Sequence, residues 1–275
     1  MAKLRRQAYY MLLWLIALVF FAPVFWIFLS SLKTTDQLLA KTPQIFFSPT
    51  TANLLDAVNR PSFTQQFVHS LVLSVASVTI AIVVAFLAAY SFSRFRLAGS
   101  DFLMFLLLSV RMVPAAATIV PLYLMYAAFG WKDNLIGIIL FYAMFSIPFS
   151  LWILKGFLDG VSQRFDETAL MSGASRLQVM FKIILPQVRP GLIAAFIFNF
   201  IFVWNEYLFN YIVGGANSNN VPVGIATGMY SSGGVDWTFI ASATTIYMLP
   251  IIVMIYFFQK YLLIGMTFGT VRGEV

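Results

Sequence analysis

Six long apolar runs constrain this chain more than any other feature, at roughly residues 8–32, 67–92, 102–128, 134–157, 191–213 and 238–263. A hydrocarbon core about 30 Å thick is crossed by about 20 apolar residues of helix, so each run is long enough to span a membrane. Strands of a membrane barrel alternate apolar and polar residues, whereas Ile80-Ala81-Ile82-Val83-Val84-Ala85-Phe86-Leu87 is apolar at every position. With no water to satisfy backbone groups, such a run spans as a helix. The predicted fold class is therefore all-α, a polytopic membrane helix bundle of six transmembrane helices. Composition agrees: 61% of the 275 residues are hydrophobic and 10% charged, against about half and about a quarter in soluble domains.

The first run follows Lys3, Arg5 and Arg6, as in a secretory signal peptide. Signal peptides, however, carry an apolar stretch of only about 7–15 residues. This run continues through Phe25-Trp26-Ile27-Phe28-Leu29, so it is expected to be a retained helix. Orientation follows from the basic residues, which concentrate on the cytoplasmic side of membrane proteins. One side receives Lys3, Arg5, Arg6, Arg94, Arg96, Lys155, Arg164, Arg176, Lys182, Arg189, Lys260 and Arg272, and the other only Lys33, Lys41, Arg60 and Lys132. Both termini, the short loop near Arg94 and the long loop at about 159–190 are expected in the cytoplasm. The loops at about 33–66 and 214–237 are expected outside, rich in proline or in Gly-Asn-Ser sequence, and neither is expected to form a folded domain. The whole of 1–275 is expected to be one transmembrane domain, so any energy-converting or solute-capturing unit must be a separate polypeptide.

Several function classes are excluded. There is no cysteine and a single histidine, His69, so thiolate and multi-histidine metal sites have no ligands and no metal site is expected. The net charge of +7 comes without a basic cluster interleaved with aromatics, and nucleic acid is set aside. No Gly-x-x-x-x-Gly-Lys-Ser/Thr loop is present, so the chain cannot hydrolyse ATP by that route. A membrane-embedded enzyme would need clustered acids, bases or ligands. Asp166-Glu167 is the one acidic pair, and no catalytic residue is expected. An ion-coupled secondary carrier would use Arg111 and Glu206 directly, but such carriers usually carry paired repeats with interrupted spans in both halves, which this sequence lacks.

Between the fourth and fifth runs lie Asp166-Glu167-Thr168-Ala169-Leu170-Met171-Ser172-Gly173 and then Ile183, Leu185 and Pro186. This stretch resembles the cytoplasmic signature of binding-protein-dependent ABC importer permeases: Glu-Ala-Ala, three residues, Gly, nine residues, Ile, one residue, Leu-Pro. Glu167, Ala169, Gly173, Ile183, Leu185 and Pro186 fall in register, and Thr168 departs from the pattern. Carboxylates at 166 and 167 suit a helix N-terminus, and Leu170, Leu177 and Met180 supply apolar contacts at helical spacing. The resemblance implies that this loop docks on an ATPase subunit. It also implies two ATPase subunits that hold ATP and Mg, a second permease subunit forming a heterodimer, a soluble solute-binding protein, and a place in the bacterial plasma (inner) membrane. This chain itself is expected to bind no cofactor.

Two further segments are similar to the carbohydrate-uptake group of that family, the group of the second maltose-transporter permease. These are the tail from Gln259 to Gly273, with Met266 and Arg272 as conservative departures, and Trp204-Asn205-Glu206-Tyr207 in the fifth run. The resemblance implies transport of a sugar, polyol or related solute by alternating access. The alternatives are an importer permease for a non-carbohydrate solute and, behind it, an ion-coupled secondary carrier. A charge at the centre of a membrane helix costs at least about 2.5–3.5 kcal/mol, so Arg111 and Glu206 should face protein or water. Pro114, close to Arg111, removes a backbone donor and should kink or unwind its helix. Arg111, Pro114, Trp204, Asn205 and Glu206 are the candidate solute-pathway residues. For Asn205 and Glu206, bracing the bundle is the equal alternative.

Overall fold

In a computed structural model of the chain, the described residues are 2–95, 97–228, 230–231 and 234–266. The C-terminal resemblance from Thr267 to Gly273, with Arg96 and Arg272, lies outside them.

Among the described residues the fold is helical, apart from a two-residue antiparallel pairing of Tyr230–Ser231 with Gly234–Val235. Four helices are long and apolar enough to cross a membrane, and the number reaches six if each of two bent pairs counts as one span. The chain divides into two compact units, one of residues 1–67 and 223–250, the other of residues 68–222 and 251–275.

The first unit begins with the 30-residue helix Ala2–Ser31, about 45 Å long at the helical rise. Its side chains are exposed from Arg5 to Pro23, and burial begins only near its end, at Ser30 and Ser31. Two short helices then occupy the expected outer loop. Thr35–Leu38 is closed by a reciprocal capping box between Thr34 and Gln37, and Ala52–Asn59 follows. The second expected outer loop likewise contains a helix, Val221–Gly228. Its valines 221 and 223 are buried, which supplies the apolar anchoring that the Gly-Asn-Ser composition conceals. Arg60 joins Asp56 and Asp236 at 2.8 and 2.9 Å and lies 4.2 Å from the centre of the Phe239 ring.

The second unit holds most of the buried core. In the helix Pro61–Arg94, Ser77, Ala81, Ala85 and Ala89 recur every fourth residue and are fully buried. Small side chains at that spacing let neighbouring backbones approach, which is how helices associate where lipid removes the hydrophobic drive. The helix Leu135–Asp159 starts at Asn134, whose Oδ1 accepts from the amides of Ile136 and Gly137, and it packs along Arg189–Trp204. At Gly191 a Cβ would stand 2.5 Å from the Phe157 ring, so only glycine permits this contact.

Two expected spans are not straight helices. The third is Ser100–Val110 and Ala115–Ala128, meeting at 85° across residues 111–114. Pro114 has no amide proton and disfavours helical geometry at Val113, so the break falls there. Pro121 is accommodated inside the second piece. The fifth run, expected to be continuous over 191–213, stops at Trp204 and restarts as Leu208–Val213. Upstream of it, Arg176–Gln187 meets Arg189–Trp204 at 73°.

Candidate functional site

The two breaks face one cavity of about 860 Å³ in the second unit. Arg111, Asn205, Glu206 and Tyr207 line it together with Phe145, Phe202 and aliphatic neighbours. Residues 94 positions apart in sequence thus meet because both helices end where their polar residues stand. The interrupted backbone borders a cavity, which is where irregular structure is tolerated at membrane depth.

Arg111 caps the first helical piece, and its guanidinium carbon lies 4.7, 4.8 and 5.3 Å from the ring centres of Phe202, Phe145 and Phe149. Glu206 is 8% exposed, and its carboxylate is occupied from within the chain. The amides of Phe209 and Asn210 donate to it at 2.8 and 3.2 Å, and the Tyr142 hydroxyl donates to Oε2. The carboxylate therefore satisfies the first amides of Leu208–Val213, which is the local reason that a second helix starts here. Asn205 turns its amide nitrogen back to the carbonyl of Ile201 at 2.8 Å and remains exposed.

Of the five residues singled out in the sequence, the structure brings Arg111, Asn205 and Glu206 to the cavity. Pro114 shapes it from the break. Trp204 is fully buried and stacked on Phe200, with ring centres 5.3 Å apart, so its ring does not line the cavity. Tyr207, quoted only as part of the Trp-Asn-Glu-Tyr run, is 38% exposed and does. Tyr142 was missed entirely. Nothing in an apolar run distinguishes a tyrosine that will meet a carboxylate from one that will not.

Polar side chains extend from Glu206 toward Leu135–Asp159. The Asn220 amide donates to the Glu206 carbonyl at 2.6 Å, and the Asn210 amide donates to the Ser218 carbonyl at 3.1 Å. Asp133 accepts from the backbone and side chain of Asn217 and from the Ser218 hydroxyl. The Asn-Ser segment is held by these bonds.

The loop at 159–190 is also built in detail. Arg164–Met171 carries Asp166 and Glu167 in its first turn, with Asp166 buried and Glu167 exposed. Arg94 reaches Asp166 at 3.1 Å and donates to the carbonyls of Leu158 and Val161, while Tyr90 donates to the same carboxylate at 3.1 Å. The helix ends at Gly173, whose φ of +86° is left-handed. The amide of Gly173 donates to Leu170 and that of Ala174 to Ala169, a paired closure that glycine accommodates without strain. Thr168 and Pro186 are exposed, Ala169 is buried, and Ile183 and Leu185 are half-buried. A groove of about 550 Å³ runs past Phe165, Thr168, Ala169, Ala174 and Ile183. Leu170 and Leu177 face outward, whereas Met180 joins the core. Residues Val179–Ile184 form a π-helical turn, a wide turn often found at functional positions.

Long apolar helices, a cavity at two helix breaks and an anchored helical loop define a polytopic membrane transport subunit. The family model described as "Binding-protein-dependent transport system inner membrane component" matches residues 77–267, and the chain belongs to that family. It is 31% identical over 254 residues, 91% of this chain and 92% of the other, to the trehalose transport system permease protein SugB of Mycobacterium tuberculosis. It is 27% identical over 263 residues, 94% of each, to the trehalose/maltose transport system permease protein MalG of Thermococcus litoralis. Among solved structures, it is similar in fold to a bacterial ABC transporter involved in import of the acidic polysaccharide alginate, with a TM-score of 0.80, 19% identity, and 94% of this chain and 96% of the other covered. The protein is thus an ABC importer permease with sugar-transport relatives. In such importers ATPase and binding-protein partners accompany the permease, and ATP hydrolysis lies in the ATPase subunits.

Proposed function

We propose that this chain carries a sugar, polyol or related solute across a bacterial inner membrane by alternating access, with the cavity at Arg111, Asn205, Glu206 and Tyr207 as its share of the pathway. The carrying observation is that cavity: exposed hydroxyl and amide groups stand beside aromatic rings at two helix breaks. Sugars are held in this way, by hydrogen bonds to hydroxyls and an aromatic face against the C–H surface. The sugar permeases among its relatives support the solute class.

In this proposal residues 1–275 act as one permease domain with six spans and both termini in the cytoplasm, paired with a different permease subunit. A soluble binding protein delivers solute to the outer face, and two ATPase subunits supply ATP and Mg. The loop at 159–190 docks on an ATPase through Glu167, Thr168 and Gly173 with the groove beside Ala169 and Ile183, while Leu185 and Pro186 lead into the next helix. Arg94 and Asp166 make that loop rigid enough to transmit ATPase closure to the spans. The chain itself holds no cofactor.

Uptake measured per assembled complex tests the pathway assignment. Asn205→Ala and Tyr207→Ala each remove a group that borders the cavity without filling the core, so both should lower uptake or change solute preference with the complex intact. Unchanged uptake per complex and unchanged preference in both would remove the cavity from the pathway.

A further inference from the structure

Among the described residues, Arg111 is a cation without an anion. Its guanidinium lies against three phenylalanine rings, yet among the described residues it makes no hydrogen bond and no ion pair. Aromatic faces offset part of the charge but accept none of its five N–H bonds in the plane of the group. The carboxylate that shares the cavity does not pair with it, because Glu206 already accepts from two backbone amides and from Tyr142. The cavity therefore presents a positive charge and unused donors, next to the exposed Asn205 and Tyr207.

A planar guanidinium held in place by rings matches a carboxylate with two parallel hydrogen bonds, and in a poorly hydrated site that pairing is strong. We propose that the solute accepted by this cavity carries an anionic group, as a uronic acid does, and that Arg111 binds its carboxylate while the ring and hydroxyls meet Tyr207 and Asn205. This rests on the cavity being the solute pathway. It adds the charge of the solute to that reading.

The cysteine-free chain permits a direct test. Thr118 lines the cavity, so Thr118→Cys in the assembled transporter reports occupancy through its rate of modification by the uncharged reagent N-ethylmaleimide. Glucuronate and glucose, nearly the same in size, are the probes. Glucuronate should protect the cysteine at about tenfold lower concentration than glucose, the difference expected of one charged hydrogen-bonded pair. Arg111→Gln should abolish that difference. Equal protection by the two sugars would overturn the anionic preference and leave the sugar pathway standing. Protection by neither would remove the pathway and the preference together. Loss of the second permease from the Arg111→Gln complex, without any glucuronate preference in the parent, would assign the counter-charge to that subunit and overturn the proposal.

Discussion

Asp166 and Glu206 are both buried carboxylates, yet they are neutralised in different ways. Asp166 stands in the loop and meets a full charge, the Arg94 guanidinium, with side-chain exposures of 12% and 6%. Glu206 lies inside an apolar run and meets only neutral donors: two amides and a phenol. The difference follows position. At a helix end Arg94 finds the carbonyls of Leu158 and Val161 for its remaining N–H groups, so the pair is satisfied on both sides. Deeper in the membrane a second buried ion adds a further desolvation penalty, and the unpaired amides of a helix start provide acceptance without one. The ion pair joins elements 72 residues apart, whereas most bonds to Glu206 come from within four residues.

The largest expected effect breaks the first member of this comparison. Arg94→Met leaves Asp166 buried without a counter-charge, and loss of one partner of such a pair costs about 3–5 kcal/mol. Thermal unfolding of the purified complex should show it, with much of the loss recovered in the double variant Arg94→Met, Asp166→Leu. A change below about 1 kcal/mol would mean that the clasp contributes nothing to the loop.

Glu206→Ala should be milder, because it uncovers neutral amides rather than a charge. Unsatisfied buried donors cost about 1–3 kcal/mol, and the loss should concentrate in Leu208–Val213, where hydrogen exchange should accelerate. Glu206→Gln keeps an acceptor for those amides and should retain most of the protection. Equal acceleration in the two variants would show that charge, not acceptance, holds the helix start.

A third carboxylate gives the smallest effect. Asp236, before the helix Trp237–Met266, is partly exposed and bonds to Arg60. Burial alone would raise its pKa, but the Phe239 amide and the Arg60 guanidinium outweigh it and hold the carboxyl below its usual range. A depressed folded pKa stabilises above the unfolded value, and that contribution is lost as pH falls through the folded one. Stability should therefore decline below about pH 4, by under about 1 kcal/mol for a pair this exposed. Asp236→Asn should remove that part of the acid dependence. An identical acid limb in the variant would assign the decline to other carboxylates.

Much of the fold was legible because membrane spans are set by length and apolarity, which are local properties. The placement of Arg94–Asp166 was not. Arg94 counted as an orientation charge and Asp166 as a helix-start acid, and only the packing of two helices gave them to each other. In the loop, the motif spacing located Gly173, and its left-handed turn is the reason glycine stands there.

The sequence by itself determined where helices can lie, that Pro114 should kink or unwind one of them, and which charges needed shelter, since proline geometry and the hydration of charge do not depend on distant neighbours. Tertiary structure alone decided that Trp204 would turn into the core while Tyr207 faced the cavity, and that Tyr142 would meet a carboxylate 64 residues away. The rotation of a helix about its axis, and so the face each side chain presents, is set by the neighbours it packs against. In a run that is apolar on every side, no polar stripe marks that face.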